Sequence, residues 1–288
     1  MGSPTLKSLA GFEVLTSAEA SVFERSLEHR SYRVGDTVPS GESLLLLADG
    51  NFRLQVAKPT GPLVFASIGT GGLCGEMEFF VSAPVRVEAQ AGSEAKCFSF
   101  DRRSLKSSFR YCRTGAVKFL EIFARSLSEK IRSANELLQQ IPASSQASDG
   151  VDFSPSQLEA FDLQRLKSLT ATRSYTKGSV LFSEGDASGE LFVIDDGEVE
   201  ILKKGDLGQS LSLANLGPGD FFGEMAFVDA KPRSAEAIAL SPLRVHVLPS
   251  GSLDRAVEYN VGTALYLTSV ICKIMGRRLN ATLRKIIN

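Results

Sequence analysis

Short apolar runs of strand length, separated by Gly and Asp, fill most of this chain, and stretches of helical period interrupt them. The longest unbroken apolar run, Leu44 to Ala48, suits a strand and is far too short to span a bilayer. SVLF and ELFVIDDGEVEILKK, from Ser179 and Glu190, carry further strand signals. Leu243, Val245 and Val247 alternate with Arg244 and His246, the pattern of a half-buried strand, which puts His246 on the polar face as an ordinary surface histidine. Ahead of the first strands, Thr16 and Glu19 have capping-box spacing before Val22, Phe23 and Leu27, which predicts a short helix.

Two long helices are predicted as well. Val117, Leu120, Ala124, Leu127, Ile131, Ala134, Leu138 and Ile141 step by alternating three and four residues, a heptad seam. Val257, Val261, Ala264, Thr268, Ile271 and Met275 step the same way. The regularity of the first seam predicts a homodimer through the helix of residues 114–141.

The pattern occurs twice. RSYRVGDTV starts at Arg30 and RSYTKGSVL at Arg173; GEMEFF starts at Gly75 and GEMAFV at Gly223; Pro84 pairs with Pro232. The offset is 143 residues for the first pair and 148 for the other two. Between the copies, IPASSQASDGVDFSPS is rich in Ser, Pro and Ala and has the composition of a linker. The expected division is residues 1–141, a linker 142–156, and residues 157–288. Each copy opens with a helix, continues with short strands and glycine turns, and ends in a long helix. The fold class expected is mainly β with α: two β-jelly-roll (double-stranded β-helix) domains, each flanked by helices.

Composition narrows the function. The 288 residues are 43% hydrophobic and 23% charged, with 32 Lys plus Arg against 33 Asp plus Glu, so the chain is foldable and carries no bulk attraction to nucleic acid or anionic lipid. The cysteines, Cys74, Cys97, Cys112 and Cys272, form no CxxC, and the only histidines are His29 and His246, so no metal centre is expected. The start of the chain lacks the charged and apolar regions of a secretory leader, and Leu6 stands where a myristoylation signal needs Ser or Thr. A cytoplasmic protein without membrane partners is expected.

Candidate chemistry concentrates in PGDFFGEMAFVDAKPRSAEAIA, from Pro218 to Ala239. A turn at Pro218, Gly219 and Asp220 leads to Gly223 and Glu224, where a short helix would open with amides lacking helical partners. Gly223 allows close approach, and Arg233, nine residues beyond Glu224, can return to the same pocket. Arginine beside exposed amides suits a phosphate, and a neighbouring carboxylate suits a sugar hydroxyl.

This segment resembles the phosphate-binding cassette of cyclic nucleotide-binding domains, as in the catabolite activator protein and the regulatory subunit of protein kinase A. The matching residues are Phe222, Gly223, Glu224, Met225 and Ala226, then Arg233, Ser234 and Ala235, with Gly178, the SEGD run (Ser183 to Asp186) and Gly197 upstream. The resemblance covers copy two throughout and copy one more weakly. It implies that Arg233 holds a cyclic phosphate and that Glu224 accepts the ribose 2′-OH. The amides of Gly223 and Ala235 and the Ser234 hydroxyl would complete the cradle. Phe227 stands where Leu or Ile is usual, and Glu236 occupies a position that often faces the base.

Copy one departs further. Gly75 and Glu76 are present, but Glu78 fills the small position, and Val85 stands where the arginine belongs. Arg86 is one step late, and a one-residue slip on a strand turns a side chain to the other face. Copy one is expected to bind no cyclic nucleotide in the usual way and to serve packing, dimerisation or partner recognition.

The reading is therefore a non-enzymatic sensor with no cofactor, whose ligand is cAMP, with cGMP second, and whose helix after the barrel signals to a protein effector. Two alternatives are a scaffold of two non-binding barrels and a cyclic di-GMP receptor using Lys231 or Arg244. A DNA-binding regulator would need a helix-turn-helix after the long helix, and the 48 residues after Leu240 are largely taken by that helix, so no DNA partner is expected. No acid–base pair suggests catalysis. Residues 1–11 contain no Arg-Arg-x-Ser run of the kind a kinase pseudosubstrate would need.

Overall fold

The computed structural model describes residues 5–39, 43–82, 84–140, 169–187, 189–204 and 210–287. The predicted linker, 142–156, and Ile141 lie outside them.

The first copy contains β1 (Leu27–Tyr32), β2 (Thr37–Pro39), β3 (Ser43–Asp49), β4 (Phe52–Lys58), β5 (Gly61–Ile68), β6 (Leu73–Cys74), β7 (Val87–Ala91) and β8 (Ala95–Asp101). The second contains β9 (Ala171–Tyr175), β10 (Val180–Phe182), β11 (Leu191–Asp196), β12 (Val199–Lys204), β13 (Ser210–Leu216), β14 (Phe221–Phe222), β15 (Glu236–Ala239) and β16 (Leu243–Leu248). Copy one forms two four-stranded sheets in the orders β1-β8-β3-β6 and β2-β7-β4-β5. Copy two repeats both orders strand for strand, as β9-β16-β11-β14 and β10-β15-β12-β13. Every described pairing is antiparallel. Two antiparallel sheets with this crossed order make the expected jelly roll, and the second one closes on Phe192, Ile194, Val199, Phe222, Ala237, Ala239, Val245 and Val247.

The helices are α1 (Ser17–Glu24), α2 (Met77–Phe80), α3 (Arg102–Tyr111) and α4 (Arg113–Gln139) in copy one, and α5 (Glu224–Asp229), α6 (Ser252–Tyr259) and α7 (Val261–Ile287) in copy two. The capping box forms at the start of α1. The Glu19 amide donates to Thr16 Oγ1 at 3.2 Å and the Thr16 amide to Glu19 Oε2 at 2.8 Å. Glu19 also accepts from Thr114 and Lys118 on α4, each at 2.8 Å, so one carboxylate ties both helices.

Three expectations change. The compact units do not follow the repeat boundary: one comprises Met1–Ala147 with Thr268–Asn288, the other Ser148–Leu267. The apolar stripe of α7, with Ile271, Cys272, Met275, Leu279, Leu283 and Ile286 all buried, lies in the part from Thr268 onward that belongs to the first unit.

The predicted dimer seam is corrected for the same reason. Val117, Leu120, Ala124, Leu127, Ile131, Ala134 and Leu138 are all buried within this one chain, so the stripe that would face a second copy is already covered. A jelly roll has an apolar outer surface of its own to cover, and a helix stripe serves it as well as a second helix does.

His246 is the third correction. It is only 9% exposed, because β16 is an interior strand held between β9 and β11. Its Nδ1 lies 3.4 Å from Thr172 Oγ1 and its Nε2 3.8 Å from Asp195 Oδ1. No helix among the described residues is long and apolar enough to cross a membrane.

Candidate functional site

Gly223 has φ 77°, a left-handed conformation that suits glycine, and it sits between β14 and α5. The turn puts Glu224 at the first position of α5, 1% exposed. From there a loop returns the chain to β15 through Arg233, whose backbone is clamped on both sides. Its amide donates to Asp186 O at 2.9 Å, and its carbonyl accepts from Gly185 N at 2.9 Å. The SEGD run is thus the brace of the cassette. The run is itself fixed, by the Ser183 amide on Asp186 Oδ2 at 2.8 Å and by an ion pair between Glu184 and Lys203.

The Arg233 side chain turns inward and is 3% exposed. Nη1 donates to Gly223 O and Nη2 to Glu190 O, both at 2.9 Å. The guanidinium lies 4.1 Å from the Phe182 ring centre and 5.7 Å from that of Phe192. Burial pulls its pKa below the ordinary arginine value, while the charges of Glu224, Glu190 and Asp186 oppose the shift. Gly223, Glu224 and Arg233 therefore meet in one place, where a buried cation with directed N–H groups stands near a buried carboxylate beneath half-buried Gly223.

The other expected residues fall nearby in different roles. Phe222 stacks on Phe192 with ring centres 4.9 Å apart and belongs to the core. Met225 and Ala226 are buried in α5, and Met225 Sδ accepts from the Ser234 hydroxyl at 3.4 Å. Ala235 is buried on the same phase as Arg233, Ala237 and Ala239. Glu236 falls on the opposite phase. It meets Lys204 at 3.3 Å and accepts from the Ser183 hydroxyl at 3.2 Å, so it does not share the inward face of Arg233. Arg244, one of two cations considered for a second phosphate, pairs with Asp195 instead.

Sequence reading missed Phe182, Phe192 and the Glu190 carbonyl. The aromatic residue just ahead of SEGD was a visible signal for Phe182; a backbone acceptor leaves none. In copy one, Arg86 is 72% exposed and its nearest acid is Glu88 at 3.9 Å, as the one-residue slip required.

Residues 172–260, the barrel of copy two and α6, match the family model of the cyclic nucleotide-binding domain. The regulatory subunit of cAMP-dependent protein kinase from Pyricularia oryzae is 26% identical over 66% of this chain and 42% of its own length. The subunit of the same name from Blastocladiella emersonii is 24% identical over 68% of this chain and 42% of its own. The chain thus spans less than half the length of these relatives. Among solved structures, the regulatory domain of Toxoplasma gondii PKA crystallised with cAMP aligns over 91% of each chain at 16% identity, with a TM-score of 0.34.

Proposed function

We propose that this protein is a non-enzymatic, cytoplasmic cyclic-nucleotide sensor whose ligand, cAMP first and cGMP second, binds in copy two. The observation that carries the reading is the buried pair Glu224 and Arg233 held against half-buried Gly223. Arg233 supplies the positive charge for a cyclic phosphate, and its engagement with two backbone carbonyls fixes its direction before a ligand arrives. Glu224 accepts a ribose hydroxyl. The amides of Gly223 and Ala235 line the phosphate, and the Ser234 hydroxyl turns toward it from Met225 on binding. Carboxylate and guanidinium side by side suit the recognition of a hydroxyl and a phosphate.

Ligand binding would bias a two-state equilibrium of the helical segment after the barrel, and a protein effector would read the result. The dinucleotide reading is disfavoured by the Arg244–Asp195 pair, which takes one of its two nominated cations.

Calorimetry of the full chain against cAMP, cGMP and cyclic di-GMP tests the proposal. About one equivalent of a mononucleotide per chain, lost in Arg233→Ala, is expected. No heat with any of the three and an unchanged melting temperature would leave the scaffold reading in its place.

A further inference from the structure

Glu76 is the copy-one counterpart of Glu224, 148 residues earlier, and it is equally buried at 1% exposure. In copy one this carboxylate already has a cationic ligand. Lys130, on α4 and 5% exposed, forms an ion pair with Glu76 and donates to Leu73 O at 2.7 Å. The Ser126 hydroxyl, one turn earlier on α4, donates to the same Glu76 oxygen at 2.9 Å. The cavity that reaches Glu76 itself, lined also by Leu54, Phe65, Val87, Lys130 and Leu279, has a volume of about 10 Å³. That is room for one water, against the roughly 300–1,000 Å³ of ordinary small-molecule pockets. The larger cavity of about 390 Å³ beside Ser126 and Lys130 is lined by Gly69 to Gly72, Arg125 and Glu129 and does not include Glu76.

The C-terminal segment of the same unit closes the rest. Val85 is the counterpart of Arg233, and its amide donates to Asn280 Oδ1 on α7 at 2.7 Å. A Cβ on Gly276 would come within 3.2 Å of Val81 Cγ2 and 3.7 Å of Met77 O, so α7 passes against α2 at backbone range. Cys272 Sγ reaches Leu120 O at 3.2 Å, and Lys58 Nζ donates to Ile286 O at 2.7 Å. On the other side, Phe79 and Phe80 of α2 pack edge-on against Phe123 of α4, with ring centres 5.5 and 5.9 Å away.

We propose that the cassette of copy one is a latch for the chain's own C-terminal helix, with Lys130 occupying the ligand's place at Glu76, and that it is closed to nucleotides for that reason. Three features of copy one serve the latch. The Val85 amide, whose counterpart at Arg233 donates to Asp186 O in copy two, donates instead to Asn280. The phenylalanines of α2 grip α4. The retained glutamate holds the lysine. Copy one thus responds to the position of residues 268–288 and not to a small molecule. The seating of α7 against copy one stands whether or not copy two binds a nucleotide, while the place given to Lys130 rests on the ligand role of Glu224.

Hydrogen exchange of the full-length chain tests it. Gly276→Leu favours the helix yet obstructs its seat, so any loss of protection reports undocking. Exchange should rise by at least about tenfold both in residues 268–287 and in residues 77–88, with β3 and β8 unchanged. Faster exchange in the helix with residues 77–88 unaffected, or no change in either, would overturn the latch. Should Gly276→Leu fail to fold, Asn280→Ala removes a single bond and should accelerate the Val85 amide alone. In an Arg233→Ala background, Gly276→Leu should take up neither cAMP nor cGMP, and one equivalent of either would overturn the closure by Lys130.

Discussion

A Cβ added to Gly223 would lie 2.5 Å from Nη1 of Arg233 and 2.9 Å from Glu190 O. The glycine that opens α5 and the arginine that follows it therefore fit only together. Gly223→Ala should push the guanidinium off its carbonyl acceptors and also place alanine at φ 77°. We expect loss of nucleotide binding and a stability cost of about 1–3 kcal/mol, measured by calorimetry and by urea denaturation followed in copy two. Binding unchanged by this substitution would separate Arg233 from the site.

Arg233 and Arg86 offer an internal comparison. Arg233→Ala should weaken cyclic-nucleotide binding by at least about 2–3 kcal/mol, roughly 30- to 150-fold, because the phosphate loses its charge partner. Arg233→Lys should not restore it, since a single ammonium cannot reproduce the fork to Gly223 O and Glu190 O. Arg86→Ala, on an exposed side chain, should leave affinity unchanged. A stronger effect at Arg86 would move the active cassette to copy one.

The Lys130–Glu76 pair should behave as a buried ion pair. Lys130→Met leaves a carboxylate with little access to water and should cost the first unit about 3–5 kcal/mol, read as a lower urea midpoint by exchange in β3. Combining it with Glu76→Leu removes both charges and should recover most of the loss. A double variant no more stable than Lys130→Met would mean that the charges contribute nothing beyond packing.

Glu19 sets an acid limit on the same unit. Burial raises its pKa, but the bonds from Lys118, Thr16 and Thr114 outweigh burial and hold it at about 2, against an ordinary 4.5. A pKa lowered in the folded state means stability that is fully present above about 4.5 and is lost as pH falls toward about 2. Between those values the wild-type urea midpoint should fall more steeply with acid than that of Glu19→Gln. Parallel slopes would show that the three bonds do not survive in solution.

The local features legible in the sequence were those fixed by local chemistry. Thr16 and Glu19 had the spacing of a capping box, and they cap α1. The repeated blocks announced two copies, and the sheets repeat their strand order. Gly223, Glu224 and Arg233 stood at the spacing of a turn, a helix start and a returning strand, and they meet. Arg86, one residue out of phase, points to solvent as strand alternation dictates.

What tertiary structure decided was which partner covers each surface. A heptad stripe states that a face is apolar and not what lies against it, so the seam of α4 could be written for a second chain and be buried in its own. His246 sits on a nominally polar phase, and its burial follows from β16 lying between two strands that are distant in sequence. Phe182 and the Glu190 carbonyl joined Arg233 through a fold that brings separate segments together. Lys130 reaches Glu76 across 54 residues of sequence, and Asn280 reaches Val85 across 195. Periodicity and turn chemistry act over a few residues and are written in order along the chain, whereas burial and charge pairing depend on distances that exist only once the chain has closed on itself.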